Sequence, residues 1–312
     1  MIHSADEVLQ LLKSRDAAVR LRAVRMCDRL AEPDRTRLLC IALKDRSSYF
    51  AADAALRLAT AAEPFAVEAA LERFKFLMAD GLKRDPGCYI RAHLAVLLGN
   101  NRCLEAVPIL REGLRVVQVE NYMDTAGPLR GNCAMALASI PFGDPVLDLT
   151  FLLFFRGSTS YEQSFFDDSS KTVAVKALLH LGQSQSSLAI YAKLCDGAER
   201  NNGLLADCMS ALMELKHPRA AELLSRFLTA EEASLAASAA VYLVAAMEDE
   251  YLPTILTLID KLHGDLLNGL ILALASSRSP RASQALEQLR STGSDEVQGF
   301  ITNLPSRHDF VE

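Results

Sequence analysis

The side chains able to do acid–base or metal chemistry are scattered along the chain. Six histidines stand at His3, His93, His180, His217, His263 and His308; none is followed by Glu, and no HExxH occurs. A metal centre needs three or four ligands of matching type converging on one point. His93 and His180 lie 87 residues apart, so no shared metal is expected. A nucleophilic triad needs Ser or Cys, His and a carboxylate in one place, and neither G-x-S-x-G nor a Gly-rich phosphate loop is present. The seven cysteines (27, 40, 88, 103, 133, 195 and 208) are odd in number, form no CxxC, and sit mostly in apolar runs. That pattern fits buried free thiols in a reducing compartment better than disulfides or a zinc site.

Whatever these groups do, a repeated helical unit must position them. The segment IRAHLAVLL (90–98) has seven relatives: VRLRAVRMC (19–27), FAADAALRL (50–58), LRGNCAMAL (129–137), VAVKALLHL (173–181), LADCMSALM (205–213), LAASAAVYL (235–243) and LLNGLILAL (266–274). Each opens on a large apolar residue, carries small or apolar residues at its fifth and sixth positions, and closes on an apolar one. The starts are 31, 40, 39, 44, 32, 30 and 31 residues apart. A period near 31, lengthened at three successive spacings, marks a stacked repeat architecture.

A second helix follows each copy, as in EPDRTRLLCIAL (32–43), EPFAVEAALERF (63–74), GDPVLDLTFLLF (143–154), HPRAAELLSRFL (217–228) and SPRASQALEQLR (279–290). Proline is expected at the first helical position, where its missing N–H costs nothing. Asp144, Ser279 and His217 are the caps before it. One amphipathic pair cannot bury its stripe alone, but stacked pairs share a continuous core.

The openings Val19-Arg20, Ile90-Arg91 and Leu129-Arg130, with Gly99 as a turn and Ala106-Val107-Pro108 starting a second helix, resemble the HEAT-like repeat family in the short form seen in phycobilisome-lyase-type proteins. The resemblance covers essentially the whole chain, taken as one domain over 1–312. It implies an all-α fold, a right-handed α-solenoid of about eight HEAT-like helix–turn–helix repeats. It also implies an Arg–Asp ladder, broken where Ala51, Ala174, Ala206 and Ala236 replace Arg.

With that geometry the first helices line the concave side, and the fourth and eighth positions of each copy look into the groove. The fourth reads Arg22, Asp53, His93, Asn132, Lys176, Cys208, Ser238, Gly269; the eighth reads Met26, Arg57, Leu97, Ala136, His180, Leu212, Tyr242, Ala273. A binding groove is therefore expected at Arg22, Asp53, Arg57, His93, Asn132, Lys176 and His180. Extra residues fall near 74–88, 115–128 and 155–172; the last carries Tyr161, Phe165 and Phe166, which either tuck back onto the array or present a second contact.

Net charge is −6, from +3 over residues 1–130 and −9 over 131–312. An acidic chain without Trp departs from the basic, aromatic face of HEAT-like DNA glycosylases, so nucleic acid is not the expected partner. Half the residues are hydrophobic, yet no run approaches the roughly 18–20 needed to span a bilayer. MIHSADEVLQLL lacks the pattern of a secretory signal, and a cytoplasmic location is expected. The di-iron hydroxylases of this repeat type use His-Glu pairs, absent here. A bilin-binding, lyase-like alternative would need Arg22, Arg57 and Lys176 for propionates and Asp53 as acid–base group. The favoured expectation is a non-enzymatic scaffold, without cofactor, that binds a partner protein through the groove and adjoining loops.

Overall fold

A computed structural model describes residues 4–304. Its described residues form twenty α-helices and a single two-residue-per-strand hairpin, Val119–Glu120 with Met123–Asp124. The chain divides into two compact units, Met1–Leu181 and Gly182–Glu312. No helix among the described residues is long and apolar enough to cross a membrane.

Every one of the eight sequence copies lies on a first helix. In the N-terminal unit these are Ala17–Met26, Ser48–Leu58, Tyr89–Asn100, Gly127–Ser139 and Ser169–Leu181, each packed on the next. The C-terminal unit holds Asn202–Glu214, Ala233–Ala245 and Gly264–Ser276, stacked the same way. The fifth and sixth positions are the reason they stack. Ala54-Ala55, Leu94-Ala95, Cys133-Ala134, Ala177-Leu178 and Ala239-Ala240 are all buried, and small side chains there let neighbouring helices approach.

Gly99 shows how tight that approach is, and it corrects the expected turn. The helix runs on through Gly99 to Asn100. A Cβ at Gly99 would lie 2.7 Å from the Ala136 Cα of the next first helix, so glycine there serves packing. Asn100 and Asn101 then donate to the Ala59 and Ala61 carbonyls of the preceding repeat, at 3.0 and 2.7 Å.

The second helices begin as the capping residues dictate. Asp144 accepts from the Val146 N–H at 3.0 Å, Ser279 from Arg281 and Ala282, and His217 Nδ1 from Arg219 at 3.2 Å. Pro64 and Pro280 take the first helical position. Pro33 and Pro145 stand one residue earlier, at the cap, and Pro218 lies in the turn before Ala220–Ser225.

The first insertion is in part a longer helix, Pro64–Met78. The remainder meets the other two insertions at the N-terminal ends of the first helices. Asp85 pairs with Arg91 at 3.1 Å, and Arg91 also donates to Gln118 at 2.8 Å. Asp124 pairs with Arg130 at 2.7 Å, and Arg130 reaches Ser170 and the Asp167 carbonyl. In each pair the aspartate stands six residues before the arginine, so the ladder is made inside these two repeats. Where Arg is absent the acid finds another cation. Asp45, six before Ala51, takes Arg20 at 2.8 Å; Asp168, six before Ala174, takes Lys171 at 2.5 Å.

Candidate functional site

The first-helix face of the N-terminal unit carries the expected polar residues, but its course differs from the one the nine-residue copies suggested. Fourth positions do face outward: Arg22 and Lys176 are exposed, while Asp53, His93 and Asn132 are half-buried. Eighth positions turn inward in the middle of the unit, where Leu97 and Ala136 are buried. The open column is the seventh position, Arg25, Leu56, Val96, Met135 and Leu179, because residues at i and i+3 share a helix face as closely as i and i+4. One turn earlier the same face shows Tyr49 and Tyr89, 62% and 65% exposed.

The face is thus amphipathic rather than polar. Leu56, Val96, Met135 and Leu179 run beside Asp53, His93, Asn132 and Lys176, one pair per stacked helix. Sequence reasoning missed Tyr49, Tyr89 and the apolar column. Extending the aligned copies by one turn at i, i+4, i+7 would have found them. In the C-terminal unit Cys208, assigned to the groove, is buried, as is Leu212: the corresponding face there begins only with later helices.

Several of the chosen residues already have structural employment. Arg57 pairs with Asp28 and with Asp53 at 3.2 Å, and its carbonyl accepts from Arg35. Asn132 donates to the Ala92 carbonyl at 2.9 Å, stitching two first helices together. Burial pushes the Asp53 carboxyl up, against the pull of Arg25. Burial also pushes His93 below its usual 6.5, opposed by Asp85. His180 is exposed on Ser169–Leu181, with Gly127–Ser139 standing between its helix and that of His93. At about 10 Å per helix step the two rings are roughly 20 Å apart.

That spacing decides what the face can do chemically. The polar residues are spread over five stacked helices rather than gathered at one point, an arrangement that suits an extended or helical chain laid across them. Among the described residues no group of three or more His, Cys, Asp and Glu is placed to hold a metal ion; His3 and His308 lie outside those residues. All seven cysteines are free. Burial pushes Cys27, Cys40 and Cys88 up to about 11 and Cys208 to about 12, leaving protonated, weakly nucleophilic thiols. The four residues a bilin would need do not converge either: Arg57 is spent on carboxylates, and Lys176 is three helix steps beyond Asp53.

The insertion aromatics divide between the two expected behaviours. Phe166 tucks in, its ring 4.2 Å from the Arg130 guanidinium and 5.5 Å from Phe155. Phe165 is half-buried between Tyr161, at 5.1 Å, and Tyr122, at 6.1 Å, and both tyrosines are exposed.

In the C-terminal unit a groove of about 550 Å³ is lined by Val241, Ala245, Gly269, Leu272, Ala273 and Arg278, among others. A Cβ at Gly269 would meet nothing within 4 Å. Gly269→Ala is therefore expected to stabilise this unit by about 0.5–1 kcal/mol, through the helix preference of alanine alone. Urea unfolding checks it; a loss of stability would contradict the open space around that Cβ.

No family model matches the chain, and no curated protein matches it. Solved structures do. The chain is similar to a karyopherin bound to the extreme C-terminus of a protein phosphatase, with 11% identity and a TM-score of 0.53, over 95% of this chain and 37% of that one. Human deoxyhypusine hydroxylase in complex with glycerol matches at 16% identity and a TM-score of 0.33, over 96% and 93%. An engineered protein matches at 17% identity and a TM-score of 0.26, over 96% and 94%. The karyopherin likeness shows the fold: an all-α, HEAT-like helical-repeat solenoid, of which this chain matches a little over a third of the karyopherin's length.

Proposed function

We propose that the chain is a non-enzymatic binding module that docks a partner protein on the first-helix face of its N-terminal unit. The observation that carries this reading is the apolar column Leu56, Val96, Met135 and Leu179, repeated in register on four stacked helices and edged by polar side chains. An apolar strip with a polar rim is the anatomy of a protein interface, and isolated exposed hydrophobes do not line up this way. Tyr49 and Tyr89 add large, stiff contact area at one edge, and tyrosine is enriched among residues that dominate binding. A karyopherin of the same fold binds a protein segment, which supports a protein partner here. The free thiols support a reducing, cytoplasmic setting. The exposed Tyr122 and Tyr161 of the insertions stand as an adjoining contact, with Phe165 and Phe166 as their support.

Affinity purification with two triple variants tests the reading. Leu56→Ala, Tyr89→Ala and Met135→Ala together touch only exposed or rim side chains and leave the core intact. Partner recovery is expected to fall at least about tenfold, the loss of one to two hot-spot contacts. Asp53→Ala, His93→Ala and Lys176→Ala together are expected to weaken capture less, since rim polar groups contribute orientation more than affinity. Undiminished recovery with the first variant would overturn the reading.

A further inference from the structure

The arginines of the first repeat sort into two classes. Arg20 is buried and bound to Asp45 at 2.8 Å. Arg35 and, from the next helix, Arg57 share Asp28. Arg22, Arg25 and Arg29 behave differently: all three are exposed, and none makes an ion pair with another described residue. Their spacing, i, i+3 and i+7, places them on one face of Ala17–Met26 and its short continuation Cys27–Arg29. It is the same face, in the same register, as the apolar column. Arg22 and Arg25 hold the positions that Asp53 and Leu56 hold on the next helix and His93 and Val96 on the one after. Ala17–Met26 packs on Ser48–Leu58, so the cationic rung and the first apolar rung adjoin.

We infer that the partner presents a linear segment in which a cluster of carboxylates sits on Arg22, Arg25 and Arg29, followed by apolar side chains over Tyr49, Leu56, Tyr89, Val96 and Met135. The inference rests on the docking reading and gives its occupant a chemistry. Three unpaired guanidinium groups on one helix face repel one another and are relieved by an anion. Each can bind a carboxylate bidentately. They stand in the basic part of the chain, +3 over residues 1–130 against −9 over 131–312, so the field at this end favours an acidic partner.

Geometry sets the spacing of the motif. First helices stack about 10 Å apart. An extended chain rises about 3.3 Å per residue, and so meets a new rung every three residues; a helical one rises about 1.5 Å, and meets a rung every seven. The acidic cluster and the first apolar anchor are therefore separated by about three or seven residues, and the anchors repeat at that same interval.

Selection from a displayed random peptide library against the purified full chain tests this. Three baits are compared: wild type, the charge-reversed variant (Arg22→Glu, Arg25→Glu and Arg29→Glu), and the apolar variant (Leu56→Ala, Tyr89→Ala and Met135→Ala). Wild type is expected to enrich Asp/Glu clusters followed by aromatic or aliphatic residues at one of the two spacings. Charge reversal is expected to switch the enriched cluster from acidic to Lys/Arg, a result that loss of structure cannot produce. Apolar peptides without acidic enrichment, lost on the apolar variant, would overturn the acidic motif and leave the docking face standing. Peptides indifferent to the apolar variant, or no enrichment at all, would overturn both. A labelled single-stranded oligonucleotide is the remaining arm. No shift is expected at physiological salt, and a tight shift lost on charge reversal would overturn the peptide assignment.

Discussion

Asp124→Ala is expected to destabilise the N-terminal unit by about 3–5 kcal/mol, the scale for leaving one member of a buried ion pair without its partner. Both side chains of the Asp124–Arg130 pair are wholly buried, 2.7 Å apart. The carboxylate also accepts from the backbone N–H groups of Gln118, Ala126 and Asp167, at 3.3, 3.0 and 3.1 Å. Arg130 in turn donates to Ser170 Oγ and to the carbonyls of Val116 and Asp167. One aspartate therefore joins two insertions more than forty residues apart. Removing it strands a guanidinium in the interior and frees three N–H groups at once. Asp124→Ala combined with Arg130→Met is expected to cost less than the sum of the two single changes, because the stranded charge is gone. Urea unfolding, with hydrogen exchange to assign the loss to the N-terminal unit, provides the measurement. A single variant within about 1 kcal/mol of wild type would be too small for a buried pair and would contradict this account.

In the C-terminal unit the largest effect falls on Glu199. Burial pushes its carboxyl up, but the hydrogen bond from Lys193 and the N–H groups of Asn201 and Arg200 prevail and hold it at about 2, below its ordinary 4.5. Lys193 Nζ lies 2.6 Å away and its side chain is wholly buried. A carboxylate whose pKa is depressed in the folded state stabilises fully above its unfolded value. That stabilisation is lost as pH falls from about 4.5 to about 2. At about 1.4 kcal/mol per unit, the contribution is on the order of 3 kcal/mol. Glu199→Gln is expected to lower stability at pH 7 by about that much and to flatten the acid-induced loss. Parallel acid profiles for the two proteins would refute the assignment.

The contrast between these pairs and the helices explains what was readable beforehand. The eight first helices were legible because their core contacts are made by residues three and four apart, within one short window. Second helices were less so: Ala220–Ser225 and Leu252–Leu256 are barely a turn and a half long and finish in or begin from tighter 3-10 turns. The face was half legible. Arg22, Asp53, His93, Asn132 and Lys176 followed from the fourth position, but Tyr49 and Tyr89 fall just outside the repeated nine residues, and the apolar column sits one residue short of the assumed eighth position. The insertion contacts were not legible at all. Arg130 meets Ser170 across forty residues and Arg91 meets Gln118 across twenty-seven; polar pairings at such separations leave no periodic trace.

The central claim, that a partner lies along the first-helix face, is tested most directly by site-specific photo-crosslinking. Benzoylphenylalanine is placed in turn at Leu56 and Met135 on that face, and at Leu147, an equally apolar and 75% exposed side chain on the second helix Val146–Phe154. The account predicts one and the same partner crosslinked from Leu56 and from Met135, and none from Leu147. Crosslinking from Leu147 with equal yield, or silence from both face positions, would contradict it.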